Sequence, residues 1–357
     1  MRTTARKIAA VTAAAVMMAA SLTACGDSSD SAASDSTAAS QGAGSEQAKD
    51  ADTSKKEKID VNFGYIPDLN GTALLAIAKD QGLWEKENIN VDLKTFTNGP
   101  LQITALGTGD LDYGYIGNGA FWLPAKGNAD IASLIAISNA DRLIAQPGIT
   151  SVADLKGKKV GVPEGTSGDT ILSLALAKEG MTVDDIQRIP MDPTAITSAF
   201  AAGQIDAAGI WYPLVETIKQ RVPDLVELAE DSDFEDQMAF PSAIVMQKDL
   251  ATKDPDKAAR VERVLAQALD YRKENPDKTL ELVADMSQQP VDKLKGEAVH
   301  INVLSSQDQV ELWKDGTIEK WLTAMGDFFV EKGKVTKDEL LPPAEYFQAE
   351  LLEQAAN

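Results

Sequence analysis

The chain has 357 residues, 55 of them acidic and 34 basic, and a formal net charge of −21. Such a chain lacks the basic surface that neutralises phosphates, which excludes a nucleic-acid-binding function. Its single cysteine cannot form an internal disulfide, and its single histidine, His300, cannot build a histidine-rich metal site. Hydrolysis by a Ser-His-Asp or Cys-His arrangement would have to use His300, which lies among apolar residues and is predicted to be a packed structural residue. We expect no catalytic residue, metal or cofactor.

The N-terminus has the composition of an export signal. A basic segment ends at Lys7, and residues 8–22 form an apolar run of the length of a signal peptide, too short to span a membrane. The segment LTAC, at 22–25, resembles a bacterial lipobox, in which the cysteine receives a diacylglycerol and becomes the mature N-terminus. The resemblance implies that residues 1–24 are a lipoprotein signal peptide and that Cys25 is lipidated.

The segment after the cysteine is polar and of low complexity. Residues 26–58 contain no aromatic residue and consist mainly of Ser, Ala, Asp, Gly and Lys, so they cannot bury enough apolar surface to offset their ordering entropy. We expect 25–58 to be a lipidated cysteine with a disordered tether, whose root-mean-square reach is roughly 30 Å by random-coil scaling. The protein is therefore predicted to be extracytoplasmic and lipid-anchored to the outer face of the cell membrane.

The globular body starts at Ile59 and alternates strand and helix patterns. IDVNFGYI reads as a strand, GTALLAIAKDQGLW as a helix and INVDLKTF as a strand, and the rhythm repeats through KKVGV and DTILSLALAKEG. This order predicts an α/β fold with largely parallel sheets. About 300 residues usually make two lobes, and the last third is strongly helical, with one predicted helix over 306–332.

Three strand-to-helix junctions, FTNGPLQ, IGNGAFW and PEGTSGDT, carry glycines and small polar residues where a helix begins. A helix N-terminus presents unpaired N–H groups, and in α/β proteins such loops lie at the ligand-binding edge of the sheet. The junctions contain no Lys or Arg and favour a pocket for a small anion held by dipoles and hydroxyls. The alternative is that Asn98, Asn118 and Thr166 or Ser167 only cap helices. No P-loop and no GxGxxG follows a strand, which argues against nucleotide chemistry.

The body resembles the substrate-binding proteins of ABC importers, in the aliphatic sulfonate, taurine and nitrate group related to thiamine-pyrimidine-precursor binding proteins. The likeness runs from about 61 to 347, and the pair ALGTGDLD and AFAAGQIDAAGIWYP is its most specific part. It implies a periplasmic-binding-protein-like type II fold, with two α/β lobes and a hinge of two crossing strands. One lobe would comprise 59–142 plus 244–357 and the other 143–243, with crossings at ADRLIAQPG and PSAIVMQKD.

The same resemblance places the ligand in the cleft between the lobes. The cleft loops of the family fall at Tyr65 to Asn70, Asn98-Gly99, Gly117 to Gly119, Thr166 to Gly168, Pro193-Thr194 and Trp211. The implied ligand-binding residues are Tyr65, Asn70, Asn98, Gly99, Asn118, Gly119, Asp141, Thr166, Ser167, Gly168, Thr194 and Trp211. Trp211 is expected to wall the pocket rather than fill a core, and Phe121 and Trp122 to pack as core or line the mouth.

Asp141 and Arg142 stand close to the predicted hinge, where the sequence departs from many relatives. In a cleft, the aspartate would pair with a ligand amine and the arginine would clamp a carboxylate or sulfonate. The plainer alternative is a surface ion pair. If the two residues face the cleft, a zwitterion such as taurine is a better ligand than a bare inorganic anion.

The function implied is that of a monomeric receptor that binds a small organic anion or zwitterion, with taurine or another aliphatic sulfonate favoured. Its partners would be an ABC permease with its ATPase subunits. Nitrate, a pyrimidine or thiamine precursor, riboflavin or an amino acid are the alternative ligands. An enzyme like the pyrimidine synthase of this fold would need a histidine cluster in the cleft, and a surface adhesin or signalling partner would need no ligand-sized cleft.

Overall fold

The computed structural model describes residues 57–356. The predicted signal peptide, the predicted lipidation site Cys25 and nearly all of the predicted tether lie outside the described residues. Within 57–356, no helix has the length and the apolar content needed to cross a bilayer.

Eleven strands form two separate sheets in the part of the chain that the structure describes. The strands are β1 (Ile59–Tyr65), β2 (Ile89–Thr95), β3 (Tyr113–Ile116), β4 (Asp130–Ser138), β5 (Asp141–Ala145), β6 (Lys159–Val162), β7 (Gln187–Pro190), β8 (Ala207–Trp211), β9 (Val226–Glu230), β10 (Pro241–Met246) and β11 (Ile301–Val303). The order is β11-β4-β10-β3-β1-β2 in the six-stranded sheet and β7-β6-β8-β5-β9 in the five-stranded sheet.

The sheets are mixed rather than largely parallel, which corrects the prediction. Strand β1 runs parallel to β2 and β3, and β6 runs parallel to β7 and β8. Strands β5 and β10 are antiparallel to their neighbours in both directions. Each of these two strands enters directly from the other sheet, without the helical crossover that a parallel strand requires. The predicted α/β class and the two-lobed arrangement are confirmed.

Fourteen α-helices surround these sheets within residues 57–356. The helices are α1 (Leu69–Asp80), α2 (Leu83–Lys86), α3 (Gly99–Thr108), α4 (Trp122–Ala125), α5 (Ser167–Lys178), α6 (Pro193–Ala201), α7 (Leu214–Lys219), α8 (Leu250–Lys253), α9 (Pro255–Glu274), α10 (Pro276–Ser287), α11 (Val291–Ala298), α12 (Ser306–Lys314), α13 (Thr317–Glu331) and α14 (Ala349–Ala356). The single helix predicted over 306–332 is two helices, because Gly316 takes a left-handed conformation at φ 83° between α12 and α13.

Capping residues in the sequence explain where helices α1 and α3 begin. Asp68 accepts a hydrogen bond from the Gly71 N–H at 2.7 Å and caps α1, and Asn98 caps α3 by accepting from the Leu101 N–H at 3.1 Å. Capping of this kind satisfies N–H groups that have no partner inside the helix. Each of these helices therefore begins directly after a parallel strand of the six-stranded sheet.

The chain passes from one sheet to the other twice. It leaves the six-stranded sheet after β4 and enters β5 at Asp141, so residues 139–140 form the first crossing. It returns through residues 235–240 to β10. Both crossings lie just before the positions expected from the sequence. The name six-stranded lobe is used below for 57–138 and 241–356, and five-stranded lobe for 141–234.

Each lobe has its own apolar core. In the six-stranded lobe, Phe63 stacks on Tyr113 with ring centroids 5.6 Å apart and meets Trp84 edge-on at 6.3 Å. In the five-stranded lobe, Phe200 and Ile210 are fully buried. A further apolar cluster contains residues of both lobes, among them Phe121 of the six-stranded lobe and Leu172 of the five-stranded lobe, so the lobes also share buried apolar surface.

Candidate functional site

A pocket lies between the two lobes, where the chain leaves β1, β3, β6 and β8. The carboxyl ends of parallel strands meet at one edge of a sheet, which is why these loops converge. The space measures about 670 Å³, counting the part that is open to solvent. It is lined by Ile66, Asp68, Leu69, Asn70, Gly99, Pro100, Tyr115, Gly117, Asn118, Ala120, Ser138, Ala140, Asp141, Thr166, Ser167, Trp211, Tyr212, Pro241, Ser242, Glu297 and Ile301.

Two carboxylates bracket the first turn of α1 at one wall of the pocket. Glu297, from α11, accepts a hydrogen bond from the Leu69 N–H through Oε2 at 3.0 Å. Asp68 accepts from the Gly71 N–H through Oδ1 at 2.7 Å. The positive end of this helix is therefore already occupied by acidic side chains of the protein.

Burial changes the acidity of this wall. It raises the pKa of Asp68 to about 7 and the pKa of Glu297 to about 8, because desolvation disfavours the charged carboxylate. Arg272 lies behind the wall, where its Nη2 donates to Asn70 Oδ1 at 2.6 Å and burial lowers its pKa to about 10. The guanidinium does not line the pocket. At this wall the pocket is therefore lined by the carboxyl groups of Asp68 and Glu297 and not by the guanidinium of Arg272.

A second acidic group comes from the other lobe. Asp141 accepts a hydrogen bond through Oδ2 from Asn118 Nδ2 at 3.0 Å, which joins the two lobes inside the pocket. Its backbone N–H donates to Asp231 Oδ2 at 3.0 Å. Burial raises the pKa of both acids, and the nearby charge of Asp141 raises the pKa of Asp231 further. The Asn118 Oδ1 atom is buried and has no partner within the described residues.

Arg142 does not take part in the pocket. Successive side chains of a strand point to opposite faces, so Asp141 and Arg142 on β5 are separated by the sheet. The Arg142 guanidinium forms ion pairs with Glu227 at 2.7 Å and Glu230 at 3.0 Å, and its Nη2 lies 3.3 Å from His300 Nδ1. Asp141 lines the pocket, so the hypothesis that it pairs with a ligand amine remains compatible with the geometry. Arg142 does not line the pocket, so the geometry does not support an arginine clamp on the ligand.

The lobes touch on both sides of the pocket. Gly119 packs so closely on the five-stranded lobe that a Cβ atom there would lie 2.0 Å from the Thr166 carbonyl carbon. At the opposite side, the rings of Tyr212 and His300 are 4.5 Å apart. His300 is half-buried at the edge of the cleft, not in a core, although it lies far along the chain from the cleft loops.

Seven of the twelve residues expected to bind ligand line the pocket. They are Asn70, Gly99, Asn118, Asp141, Thr166, Ser167 and Trp211. Trp211 is 8% exposed. The Phe121 side chain is buried in the core, and Trp122 is partly buried, with its indole 3.6 Å from the position that a Cβ of Gly165 would take.

The other five expected residues have structural positions next to the pocket. Asn98 caps α3, and Gly119 forms the contact between lobes. Gly168 packs against the Gly209 backbone, where a Cβ would lie 2.5 Å from the carbonyl oxygen. Thr194 donates to Asp192 at the start of α6. Tyr65 is the last residue of β1, one position before the lining begins.

Several lining residues carry no recognisable signal in their sequence context. Glu297 lies in VDKLKGEA, whose charges are typical of a solvated helix face, yet it is 3% exposed. Tyr115 and Ser242 belong to strands that also read as plain core. Asp68 belonged to a cleft loop expected from the resemblance, and its position as an N-cap residue before a helix could have identified it. No group of three or more metal-ligating side chains occurs within 57–356.

Comparison with known proteins agrees with this architecture. The family model "NMT1/THI5 like" matches residues 70–279, which is more than half of the chain. A Brucella abortus protein, named only as a candidate binding protein, is 48% identical over 294 residues, covering 82% of this chain and 92% of the relative. The taurine-binding periplasmic protein of Escherichia coli is 26% identical over 272 residues, covering 72% and 83%.

Solved structures show the same fold. The alkanesulfonate-binding protein SsuA from Xanthomonas axonopodis pv. citri, bound to MOPS, superposes with a TM-score of 0.65 at 24% identity, covering 81% of this chain and 97% of that chain. The fold of this chain is therefore that of the periplasmic binding proteins, as the sequence predicted. With the family model matched over most of its two lobes, the chain belongs to the NMT1/THI5-like family.

Proposed function

We propose that this protein is the extracytoplasmic solute receptor of an ABC importer, which binds one small organic molecule between its lobes and delivers it to a membrane permease and its ATPase subunits. The observation that carries the proposal is the pocket itself. Buried polar groups of both lobes converge on it, and Asn118 of one lobe is hydrogen-bonded to Asp141 of the other at 3.0 Å. A ligand that contacts both lobes favours the closed arrangement, which a permease can recognise.

The hinge of this receptor is proposed to be the two crossings at 139–140 and 235–240. They are the segments in which the described chain passes directly from one sheet to the other. Contacts such as the hydrogen bond from Thr97 Oγ1 to Asp192 Oδ2, 3.0 Å long, join the lobes away from the hinge and would break on opening. Each lobe also has an apolar cluster of its own and would move as a rigid body, with the apolar cluster shared between the lobes opening at the cleft.

Taurine is the proposed ligand among the candidates raised by the sequence. A sulfonate end can meet the start of α5, where Thr166 makes no side-chain cap and Ser167 lines the pocket. An amine end can meet the carboxylates. Nitrate carries no group that would pair with Asp68, Asp141 or Glu297, so the pocket gives it less support.

The enzyme alternative has less support from the site. Among the described residues that line the pocket there is neither a lysine nor a histidine, and a pyrimidine synthase works through both. Incubation of candidate ligands with the protein, followed by mass spectrometry, would detect turnover. We expect the ligand to be recovered unchanged.

The receptor is proposed to act as a monomer tethered to the membrane through lipid on Cys25. A tethered body stays near its permease while it remains free to rotate, which raises its effective concentration there. Replacing Cys25 by serine should release the protein from the membrane fraction, and metabolic labelling with a fatty acid would show the loss of the lipid. Retention of label in the variant would contradict the anchor.

Ligand binding is expected to change the tryptophan fluorescence of the protein through Trp211, because this indole lines the pocket and is nearly excluded from solvent. Titration of the full-length protein with taurine, followed by fluorescence and calorimetry, should give one site per chain. Trp211→Phe should lose most of the fluorescence change. Trp321→Phe, on α13 and outside the pocket lining, is the matched control and should retain it.

The proposed function would be contradicted if a wide panel of small molecules gave neither heat nor thermal stabilisation. The panel should include taurine, alkanesulfonates, nitrate, pyrimidines, riboflavin and amino acids. A bound ligand stabilises the folded state by RT ln(1 + [L]/Kd), so a true ligand in large excess raises the melting temperature measurably.

A further inference from the structure

We propose that the pocket selects its ligand by a positively charged nitrogen, held at Asp68 and Glu297. The ligand class is then an amine cation or an amine-bearing zwitterion, and anions without an amine are rejected. This inference rests on the proposed receptor function and adds the chemical group that is recognised. The glycine-rich junctions alone suggested a pocket for an anion, whereas this proposal gives the pocket a site for a positively charged group.

The buried polar atoms of the pocket lining that have no partner within the described residues are carboxyl and amide oxygens and the Ser242 hydroxyl, and all of them can accept a hydrogen bond. Glu297 Oε1 and Asn118 Oδ1 are buried and have no partner within the described residues. The two residues are 3% and 2% exposed, so water does not replace the missing partner freely. A buried acceptor without a partner is unfavourable. An ammonium group brings three donors, whereas a sulfonate brings only acceptors.

The charge that the pocket lining can carry is negative. Asp68, Asp141 and Glu297 line it, and among the described residues no lysine or arginine does. The nearest cations act from outside the lining. Arg272 is engaged behind the wall by Asn70, and Lys293 acts on Glu297 only through its charge. A cation can thus form ion pairs with carboxyl groups that ionise when it binds, whereas an anion at the same wall meets no lining lysine or arginine among the described residues.

The positive helix end at this wall cannot compensate an anion. The first turn of α1 already donates its Leu69 and Gly71 N–H groups to Glu297 and Asp68. These bonds also fix the two carboxylates in place, because each oxygen that accepts from the helix cannot rotate away. The remaining oxygen of Glu297 is the one that has no partner. The wall therefore holds this oxygen in a fixed position, where it accepts from a ligand donor once Glu297 is ionised.

A second cavity beside the pocket has a similar lining. A neighbouring cavity shares Tyr212 and Glu297 with the pocket and is also lined by Glu216 and Asp292. Lys293 and His300 line it as well, and burial lowers the pKa of His300, which keeps the imidazole neutral near pH 7. Carboxyl groups thus outnumber charged basic groups in this cavity, which favours cations next to the pocket.

Proton release gives a direct signature of this mechanism. With pKa values of about 7 and 8, Asp68 and Glu297 hold protons near neutral pH, and a bound cation stabilises their ionised forms. The groups that face them are Arg272, Tyr115, Asp141 and Lys293. Binding of an amine should release protons, and its affinity should increase as the pH rises from about 6 to about 8.

The test uses matched ligands and the full-length protein. Taurine and isethionate share a sulfonate and differ only by an amine in place of a hydroxyl, and other amine and alcohol pairs of increasing size extend the comparison. We expect each binding pair to favour the amine by roughly 10- to 100-fold, the range for pairing a buried charged group. Calorimetry in two buffers of different ionisation enthalpy should show proton release.

Variants separate recognition from folding. Glu297→Gln keeps an acceptor for the Leu69 N–H and should abolish the preference for the amine and the proton release that comes from this site, and Asp68→Asn should weaken both. Glu262→Gln is the matched control, since Glu262 is also a buried acid with a pKa raised to about 7 but lies outside the pocket lining. It should leave ligand selection unchanged.

Isethionate binding as tightly as taurine, or an unchanged preference in Glu297→Gln, would overturn the inference while the receptor function stands. Binding by neither member of any pair, together with no response to the wider panel, would overturn the receptor function and the inference with it.

Discussion

Gly119→Ala is expected to weaken ligand binding roughly 10- to 100-fold, the effect of about 1–3 kcal/mol of overpacking. The added Cβ would lie 2.0 Å from the Thr166 carbonyl carbon and 2.2 Å from the Ser167 nitrogen. Both neighbours are backbone atoms and cannot rotate away as a side chain would. Because Thr166 and Ser167 line the pocket, the lobes must separate at the proposed ligand site.

Calorimetric titration with taurine, or with the strongest stabiliser in the ligand panel, measures this loss. Gly107→Ala is the control. Gly107 lies within α3, and a Cβ there would meet nothing within 4 Å. That variant should bind normally and gain up to about 1 kcal/mol of stability from helix propensity. Normal binding by Gly119→Ala would show that the lobes are not in contact at Thr166 in the liganded protein.

The unliganded protein is expected to lose stability as the pH rises from about 5 to about 8.5. The reason is a set of buried acids, Asp68, Glu262 and Glu297, whose pKa values are raised to about 7, 7 and 8. In this range the folded state holds protons that the unfolded chain has released. The stabilisation is complete below the ordinary carboxyl pKa, near 4, and disappears as the pH passes through 7 and 8.

Glu262 offers the sharpest test of this pH dependence. It is fully buried in α9, where Ser133 Oγ donates to Oε1, and its Oε2 has no partner within the described residues. Its raised pKa corresponds to about 3 kcal/mol at roughly 1.4 kcal/mol per pKa unit. Glu262→Gln should therefore be more stable than the parent protein by up to this amount near pH 8.5 and little changed near pH 5.

Chemical denaturation at the two pH values measures the difference. Glu281→Gln is the control, because Glu281 is an exposed carboxylate paired with Lys278 at 3.0 Å, and a pair of this kind contributes little to stability. A parallel loss of stability with pH in Glu262→Gln and in the parent protein would show that Glu262 is ionised in the folded state throughout.

Much of the site could be predicted because glycines and small polar residues recur at three strand-to-helix junctions, where the backbone needs caps and tight turns. Asn118, Thr166 and Ser167 were found in this way, and the structure brings them together across the two lobes. Such residues are recognisable because they meet local requirements of the backbone: an N-cap, a tight turn or a close approach.

The acidic character of the pocket lining could not be predicted from the sequence, because it depends on residues that are distant in the chain. Glu297 meets the α1 turn 228 residues after Leu69, and its own segment resembles an ordinary solvated helix. The adjacent residues Asp141 and Arg142 show that the sequence also does not reveal which of two neighbours faces the pocket. Two adjacent charged residues near a hinge gave two hypotheses, and the alternation of side chains along β5 sends one into the pocket and the other into an ion-pair cluster.

Hydrophobic periodicity in the sequence predicts the α/β class, and the residues at the strand-to-helix junctions predict loops that the structure places at the pocket. Chain length and the resemblance to binding proteins imply the two lobes. The relative direction of the strands, the burial of Asp68, Asp141 and Glu297, and the exclusion of Arg142 from the pocket become visible only in the folded chain. Burial and pairing depend on which distant segments fold against one another, and they set the charge that a ligand encounters.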